Sequence, residues 1–403
     1  MLHLMRQFSL LAVTIACLAM AADEPPRASG RLHHGLSWNS PASGRSEGRI
    51  YYYVPPELDL SMPAGLFIFL HGGSSSSKDT APLSYISGEL KRQLDKSSFI
   101  LAMPSAPPSQ KISTGHRWNY EGTWKSILET IDDVAGRANI DRDRIILGGC
   151  SMGGYGAYHI SQIIADRLAG VWLCAGAWTT TDFNALVGTP VYITHGRRDT
   201  APNIQNGKPN SRKISWTGVS FARAADKMMT QYGIEHVYDE TNGGHGMDDN
   251  ATKRFFEWAI RQRRHPYAKR AVVVSPCGTA HPAMEPVMKS RWLEAVSVTP
   301  GSVLLDKIRL KGPNVAVTET DWLAQGYVLE KVERQGFRLT AVNCGGNMFR
   351  VHAEHVTSFR ILLSPQMADL SKPITVDAGP LGRKVLLPKP LEGNSDYTAQ
   401  ILF

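Results

Sequence analysis

A serine, an aspartate and a histidine stand in this chain in an order that could carry nucleophilic acyl transfer. The serine is Ser151 in "RIILGGCSMGGYGAYHI", where five glycines lie between an apolar run and a helix-like stretch. A hydroxyl is a weak nucleophile, so it needs a base within hydrogen-bond reach and a third group to orient that base. "VYITHGRRDTAP" supplies Asp199 just past a strand-like run, and "ETNGGHGMDD" supplies His245 in a glycine-flanked loop after the next one. Loops at one edge of a sheet can bring such side chains together. Asp182, in "WTTTDF", is the rival for the acid role, whereas Asp248 and Asp249 lie too close to His245 in sequence to be first choice.

The glycines have a steric reason. Gly149-Cys150-Ser151-Met152-Gly153 fits G-x-S-x-G, a sharp strand-to-helix turn on which the serine is strained and exposed. A Cβ two residues to either side would collide with the neighbouring strand or helix, and Gly156 and Ala157 let the helix pack close. Cys150 points back into the sheet, so its thiol should be buried, its pKa raised and its reactivity low. A tetrahedral intermediate needs preorganised donors. Met152 opens the helix with its N–H towards the reacting carbonyl. The loop His71-Gly72-Gly73-Ser74 offers a second donor, the Gly73 N–H, with Ser74 as the alternative. His71 and His195 each end an apolar strand before a glycine, where they hold their loops by hydrogen bonds. Trp118 and Trp178 follow strand ends on the same edge, where an aromatic could stack on a sugar or aromatic acyl group of a substrate or pack the loop bases. The histidines show no metal-ligand spacing, and no cofactor motif is present.

The elements that must hold these residues alternate. Strand-like "GLFIFLHGG", "SFILAMPSAP", "RIILGG", "GVWLCAGAW", "PVYITHG" and "EHVYDE" are interleaved with helical spacing over residues 83–96, 123–138, 152–168, 219–232 and 251–264. That pattern predicts an α/β domain, a doubly wound and mostly parallel sheet over residues 49–265, with ligands beyond the carboxyl ends of its strands. From residue 268 to 403, short alternating strands separated by Gly, Pro and Asn predict an all-β, antiparallel sandwich-like accessory domain.

The bulk properties exclude other classes. The formal net charge is +8, from 44 Lys and Arg against 36 Asp and Glu. The basic residues are spread along the chain among acids, which describes a solvated surface and no nucleic-acid footprint. Residues 1–21, "MLHLMRQFSLLAVTIACLAMA", have the layout of a secretory signal peptide with Ala19-Met20-Ala21 at the cleavage site. A flexible leader over residues 22–48 follows. No later run approaches the ~18 apolar residues of a membrane span, so a secreted or periplasmic location is expected. Cleavage leaves Cys150, Cys174, Cys277 and Cys344, of which Cys277 with Cys344 is the expected disulfide. The pattern sets no oligomeric state.

With these residues placed, residues 50–264 resemble the polyhydroxybutyrate-depolymerase and feruloyl-esterase-like branch of the α/β-hydrolases, and the prolyl-oligopeptidase-related hydrolases. "IDRDRIILGGCSMGGYG", Ile140 to Gly156, carries the likeness. The resemblance implies Ser151 as nucleophile, Asp199 as acid and His245 as base, acting on carboxylic esters that are plant-polysaccharide-linked, aromatic or of polyester type. Cys150 departs from the residues many relatives have at that position. The C-terminal part resembles extensions on some secreted bacterial hydrolases of this type. A serine peptidase of prolyl-oligopeptidase type is the alternative enzyme, because the same triad cleaves amides. A polysaccharide-binding protein on a hydrolase scaffold is the alternative outside catalysis.

Overall fold

The computed structural model describes residues 32–34, 49–73, 81–107, 118–119, 121–199, 204–205, 208–209, 218–279, 284–311 and 326–403. The expected signal peptide, most of the expected leader, Ser74 and residues 312–325 of the expected accessory domain lie outside these residues.

The first half of the chain builds one eight-stranded sheet. Its strands are β1 (Leu32–His34), β2 (Ile50–Tyr53), β3 (Ala64–Leu70), β4 (Phe99–Pro104), β5 (Ile140–Cys150), β6 (Gly170–Cys174), β8 (Val191–Gly196) and β11 (His236–Thr241), in the order β1-β2-β4-β3-β5-β6-β8-β11. The chain also forms a two-residue strand β7 (Thr180–Thr181) and a small pair, β9 (Ile204–Gln205) with β10 (Lys208–Pro209). In the main sheet β2 runs antiparallel to both of its neighbours, β1 and β4, and the remaining pairs are parallel. Within the expected leader, Leu32–His34 therefore belongs to a sheet, paired along Tyr51 to Tyr53. β3 and β4 are buried at every position, as strands covered on both faces require. Alternate side chains serve alternate faces. Leu66, Ile68, Leu147, Leu173 and Ile193 pack under α2 (Thr123–Arg137), α3 (Met152–Ile163) and α4 (Val219–Tyr232). Phe67, Phe69, Ile146, Trp172 and Tyr192 pack under α1 (Gly88–Asp95) and α5 (Asp249–Ala259), where Trp172 stacks on Phe255 at 4.2 Å.

Three helices differ from their sequence spacing, and one of them, α5, ends at Ala259 where the spacing runs to residue 264. α1 starts at Gly88, whose φ of 54° breaks the run that apolar spacing begins at residue 83. α3 stops at Ile163 and gives way to a short 3₁₀ turn, Ala165–Arg167, whose buried Ala165 carbonyl accepts from the Thr189 hydroxyl and the Arg291 guanidinium.

The remaining strands are β12 (Arg270–Ser275), β13 (Lys289–Ser290), β14 (Leu293–Val298), β15 (Ser302–Leu310), β16 (Tyr327–Gln335), β17 (Phe337–Gly345), β18 (Met348–Glu354), β19 (Val356–Leu363), β20 (Ile374–Asp377), β21 (Arg383–Leu386), β22 (Lys389–Pro390) and β23 (Ala399–Leu402). They form two five-stranded sheets, β12-β17-β18-β20-β21 and β13-β14-β19-β23-β22. Both sheets line one apolar cluster, with Val273, Leu339 and Phe349 from one and Leu293, Phe359 and Ile361 from the other. Every pairing is antiparallel except β18 with β20. β15 and β16 instead join β7 in a three-stranded sheet, and Val272, Val303, Leu305 and Ile308 enter the same cluster as Leu147 and Met228.

Buried and half-buried charges tie the two halves further. Arg338 on β17 meets Asp182 at 2.7 Å. Arg264 binds Asp143 at 2.8 Å and Asp396 at 2.7 Å. The Arg291 guanidinium, on a residue 2% exposed, donates to the carbonyls of Val187, His265 and Ala165 and to the Thr189 hydroxyl.

The expected Cys277–Cys344 disulfide is corrected here, since both cysteines are free. The β12–β17 ladder pairs Ser275 with Phe337 and Arg270 with Val342, so the two thiols lie beyond opposite ends of it. At ~3.4 Å per residue that separation exceeds roughly 15 Å, whereas a disulfide needs Cα atoms within about 7 Å. Cys277 is buried and donates to the Gln162 carbonyl; Cys344 is exposed.

Candidate active site

Ser151 joins β5 to α3 with φ 58° and ψ −118°, a region that non-glycine residues rarely occupy. The turn is closed by the Ser151 N–H donating to the Cys174 carbonyl at 3.1 Å and by the Tyr155 N–H donating to the Ser151 carbonyl at 3.0 Å. The glycines around it are sterically required. A Cβ on Gly149 would lie 2.3 Å from the Gly153 carbonyl oxygen, and one on Gly153 would lie 1.8 Å from that of Leu70. One on Gly156 would lie 2.2 Å from the Trp118 Cβ.

Three loops at the carboxyl ends of β5, β8 and β11 converge. His245 Nε2 lies 2.8 Å from Ser151 Oγ, and His245 Nδ1 lies 2.8 Å from Asp199 Oδ2. The loops after β8 and β11 are laced by backbone: the Arg197 N–H donates to the Thr241 carbonyl and the Arg198 N–H to that of Gly243, each at 3.0 Å. Gly196 allows that approach, because a Cβ there would sit 2.2 Å from the Gly244 carbonyl oxygen. Asp199 is buried, while the His245 side chain is 41% exposed towards the edge. The hydrogen bond to Asp199 raises the His245 pKa above the ordinary imidazole value, outweighing partial burial, which lowers it.

Directly beneath, Cys150 and Cys174 are cross-strand partners and both are buried. The hydrogen bond to Cys174 and the loss of solvent push the Cys150 thiol well above its usual pKa, and the Asp199 charge adds to the effect. Cys150 thus faces into the sheet, as its place before the turn implied.

Gly73 lies after β3 with φ 122°, and Met152 is the first residue of α3, where an N–H lacks an intrahelical acceptor. A Cβ on Gly72 would lie 3.2 Å from the Ser151 Cβ, so this loop passes against the elbow. His71 holds it: Nδ1–H donates to the Gly72 carbonyl at 2.8 Å and Nε2 accepts from the Ala106 N–H at 3.0 Å.

Trp118 and Trp178 are corrected as ligand-stacking residues. They are 0% and 1% exposed, and each indole N–H is used internally, Trp118 on the His71 carbonyl and Trp178 on the Phe221 carbonyl, both at 3.0 Å. They support the loops from below. Asp182 is not beside His245. It caps the 3₁₀ turn Phe183–Leu186 through the Asn184 N–H and pairs with Arg338, while Asp248 caps α5 through the Ala251 N–H. The sequence places His195 only as a holder of its loop; in the structure its Nε2 also lies 2.8 Å from Asp199 Oδ2. Its signal was the H-G-x-x-D spacing from a strand end, which sets a ring and a carboxylate on one tight turn. Among the described residues no three His, Cys, Asp or Glu side chains are grouped to hold a metal ion.

The strand order, with an antiparallel strand on one side of an otherwise parallel sheet and a strained serine after β5, is that of the α/β-hydrolases. No family model matches the chain. The bifunctional acetylxylan esterase/xylanase XynS20E of Neocallimastix patriciarum is 30% identical over 159 residues, which are 39% of this chain and 22% of that protein. The chain thus spans under a quarter of that relative. Among solved structures, a thermostable esterase aligns at 18% identity over 58% of this chain and 63% of its own, with a TM-score of 0.44. The CE1 ferulic acid esterase AmCE1/Fae1A of Anaeromyces mucronatus aligns at 15% identity over 58% of this chain and 90% of its own, with a TM-score of 0.43.

Proposed function

We propose that the protein is an exported serine hydrolase of carboxylic esters working through an acyl-enzyme. The observation that carries this is the Ser151–His245–Asp199 relay, with both contacts at 2.8 Å. Ser151 Oγ attacks the ester carbonyl carbon while its proton passes to His245 Nε2. The N–H groups of Met152 and Gly73 hold the developing oxyanion. Collapse breaks the bond to the alcohol, which takes the proton from His245. Water, deprotonated by the same imidazole, then releases the acid and restores Ser151. Asp199 keeps the proton on His245 Nδ1 and stabilises the imidazolium. Esters on plant polysaccharide, aromatic or polyester chains are the proposed substrates, and the similarity to an acetylxylan esterase/xylanase supports the polysaccharide-linked class. The pattern of residues 1–21 supports export, and no described helix is long and apolar enough to cross a membrane. Residues 268–403 are proposed as an accessory domain.

Kinetics on p-nitrophenyl esters test the acid assignment. Asp199→Asn is expected to lower kcat by about 10³–10⁴-fold, because an amide leaves His245 in the wrong tautomer. Asp182→Asn should keep kcat near wild type while loosening the contact with Arg338. A severe kcat loss in the Asp182 variant alone would reverse the assignment.

The pH profile follows from the raised His245 pKa. The base must be neutral to accept the serine proton, so the acid limb of kcat/KM should fall above the ordinary imidazole value of about 6.5. The stability contribution has the opposite sense. A pKa raised on folding stabilises the protein fully below the unfolded value, and that contribution is lost as pH climbs through the folded one. Loss of activity on mild acidification should therefore come without loss of fold, checked by circular dichroism alongside the rates.

A further inference from the structure

His195 is the next-to-last residue of β8, its side chain 1% exposed, and it shares an acceptor with His245. The two imidazoles reach the same atom, Asp199 Oδ2, at 2.8 Å each: His245 through Nδ1 and His195 through Nε2. A carboxylate only accepts, so each nitrogen aimed at it carries its proton. That fixes the tautomer of both rings. We propose that His195 is a positioning residue of the relay: its Nε2–H holds the Asp199 carboxylate in the orientation His245 needs and takes up part of the charge otherwise presented to His245. This rests on the reading of Asp199 as the acid.

The chemistry follows from sharing one oxygen. Two N–H donors on Oδ2 divide its electron density, so each hydrogen bond is weaker than it would be alone. With the second donor removed, the carboxylate faces His245 undiluted, the imidazolium is better stabilised, and the ring holds its proton to higher pH. The carboxylate also loses a fixed contact and gains rotational freedom, which lowers the population of aligned relays. His195 thereby makes His245 a base that releases its proton readily while Asp199 stays in place. Among the described residues, the Cys150 thiol on β5 feels Asp199, the Cys174 thiol on β6 contacts the Gly246 carbonyl, and the Tyr85 hydroxyl interacts with both thiols. Arg197 and Arg198 lie in the Asp199 loop, Asp248 follows His245, and Glu240, opposite His195 on β11, is held by Arg223. None of them changes in the variants below.

The test is the pH dependence of kcat/KM in full-length wild type, His195→Met and His195→Gln. The two replacements are alike in length, but only glutamine offers an N–H at the reach of Nε2. His195→Met should lower kcat roughly tenfold or more and move the acid limb up by about 0.5 unit, and His195→Gln should bring both back towards wild type. An acid limb in His195→Met that coincides with wild type overturns the proposal. If His195→Met does not fold, ¹⁵N-imidazole NMR of the wild type decides: a neutral Nε2–H ring for His195 supports the proposal, and an Nδ1–H ring overturns it. Asp199→Asn separates the two readings. If that variant keeps wild-type kcat/KM, the acid assignment has failed; if it is crippled while His195→Met titrates like wild type, the fault lies with His195 alone.

Discussion

Ser151→Ala is expected to lower kcat on p-nitrophenyl esters by about 10³-fold or more, leaving the residual rate that an oxyanion pocket and substrate binding can supply without a nucleophile. The substitution isolates the hydroxyl. Alanine keeps the Cβ that already fits between Gly72 and the elbow, and it keeps the positive φ of 58°. The Ser151 N–H and carbonyl bonds to Cys174 and Tyr155 are backbone and remain. Melting should therefore shift little while the rate collapses. Equal turnover by the two proteins would remove Ser151 from the mechanism. Cys150, adjacent in sequence, cannot substitute for it, because its thiol is buried beneath the turn with its pKa pushed up.

The second large effect concerns stability. Arg291→Met should lower the unfolding free energy by about 1–3 kcal/mol, measured by urea denaturation. Arg291 has no carboxylate among its hydrogen-bond partners, which are the carbonyls of Val187, His265 and Ala165 and the Thr189 hydroxyl. Replacing a buried ion pair with apolar side chains is often harmless because both charges leave together. Methionine removes only the donor, so the buried Val187 carbonyl loses the Arg291 Nε–H, while the Ala165 carbonyl keeps the Thr189 hydroxyl. Arg291→Lys should recover only part of the loss, since an ammonium cannot span the same set of acceptors. The site has no slack: a Cβ on Gly188, whose φ is 78°, would lie 3.1 Å from the Arg291 Nε. A methionine variant that unfolds at the wild-type urea midpoint would show that these contacts do not hold the two halves together.

Sequence revealed some of this geometry and hid the rest for definable reasons. The elbow was legible because its constraint is backbone sterics: Gly149, Gly153 and Gly156 each stand where a Cβ would strike a named atom. The sheet was legible because strands buried on both faces read as unbroken apolar runs such as "LFIFL". Trp118 and Trp178 were less so. A position after a strand end does not say whether a side chain rises into solvent or tucks under its loop, and both indoles find backbone carbonyls below. The Cys277–Cys344 pairing needed the register of β12 on β17, which no local pattern carries. Asp182 looked like an acid near the reacting edge because its partner Arg338 is 156 residues away. His195 was read as a loop-holder because the direction of its Nε2 depends on how β8 lies against the Asp199 turn. The change of pattern at residue 268 marks where α-helices cease among the described residues, yet β15 pairs with β7 and Ile308 shares a core with Met228.

The backbone at Ser151 has one further consequence, for anyone who reshapes this chain. A φ of 58° with a ψ of −118° matches the first central position of a type II′ turn, which favours glycine. Holding a serine there costs on the order of 1–3 kcal/mol. Glycine at position 151 would relieve that strain and remove the hydroxyl in the same step. A library sorted by melting temperature alone would thus enrich Ser151→Gly, and its most heat-resistant members would have no nucleophile.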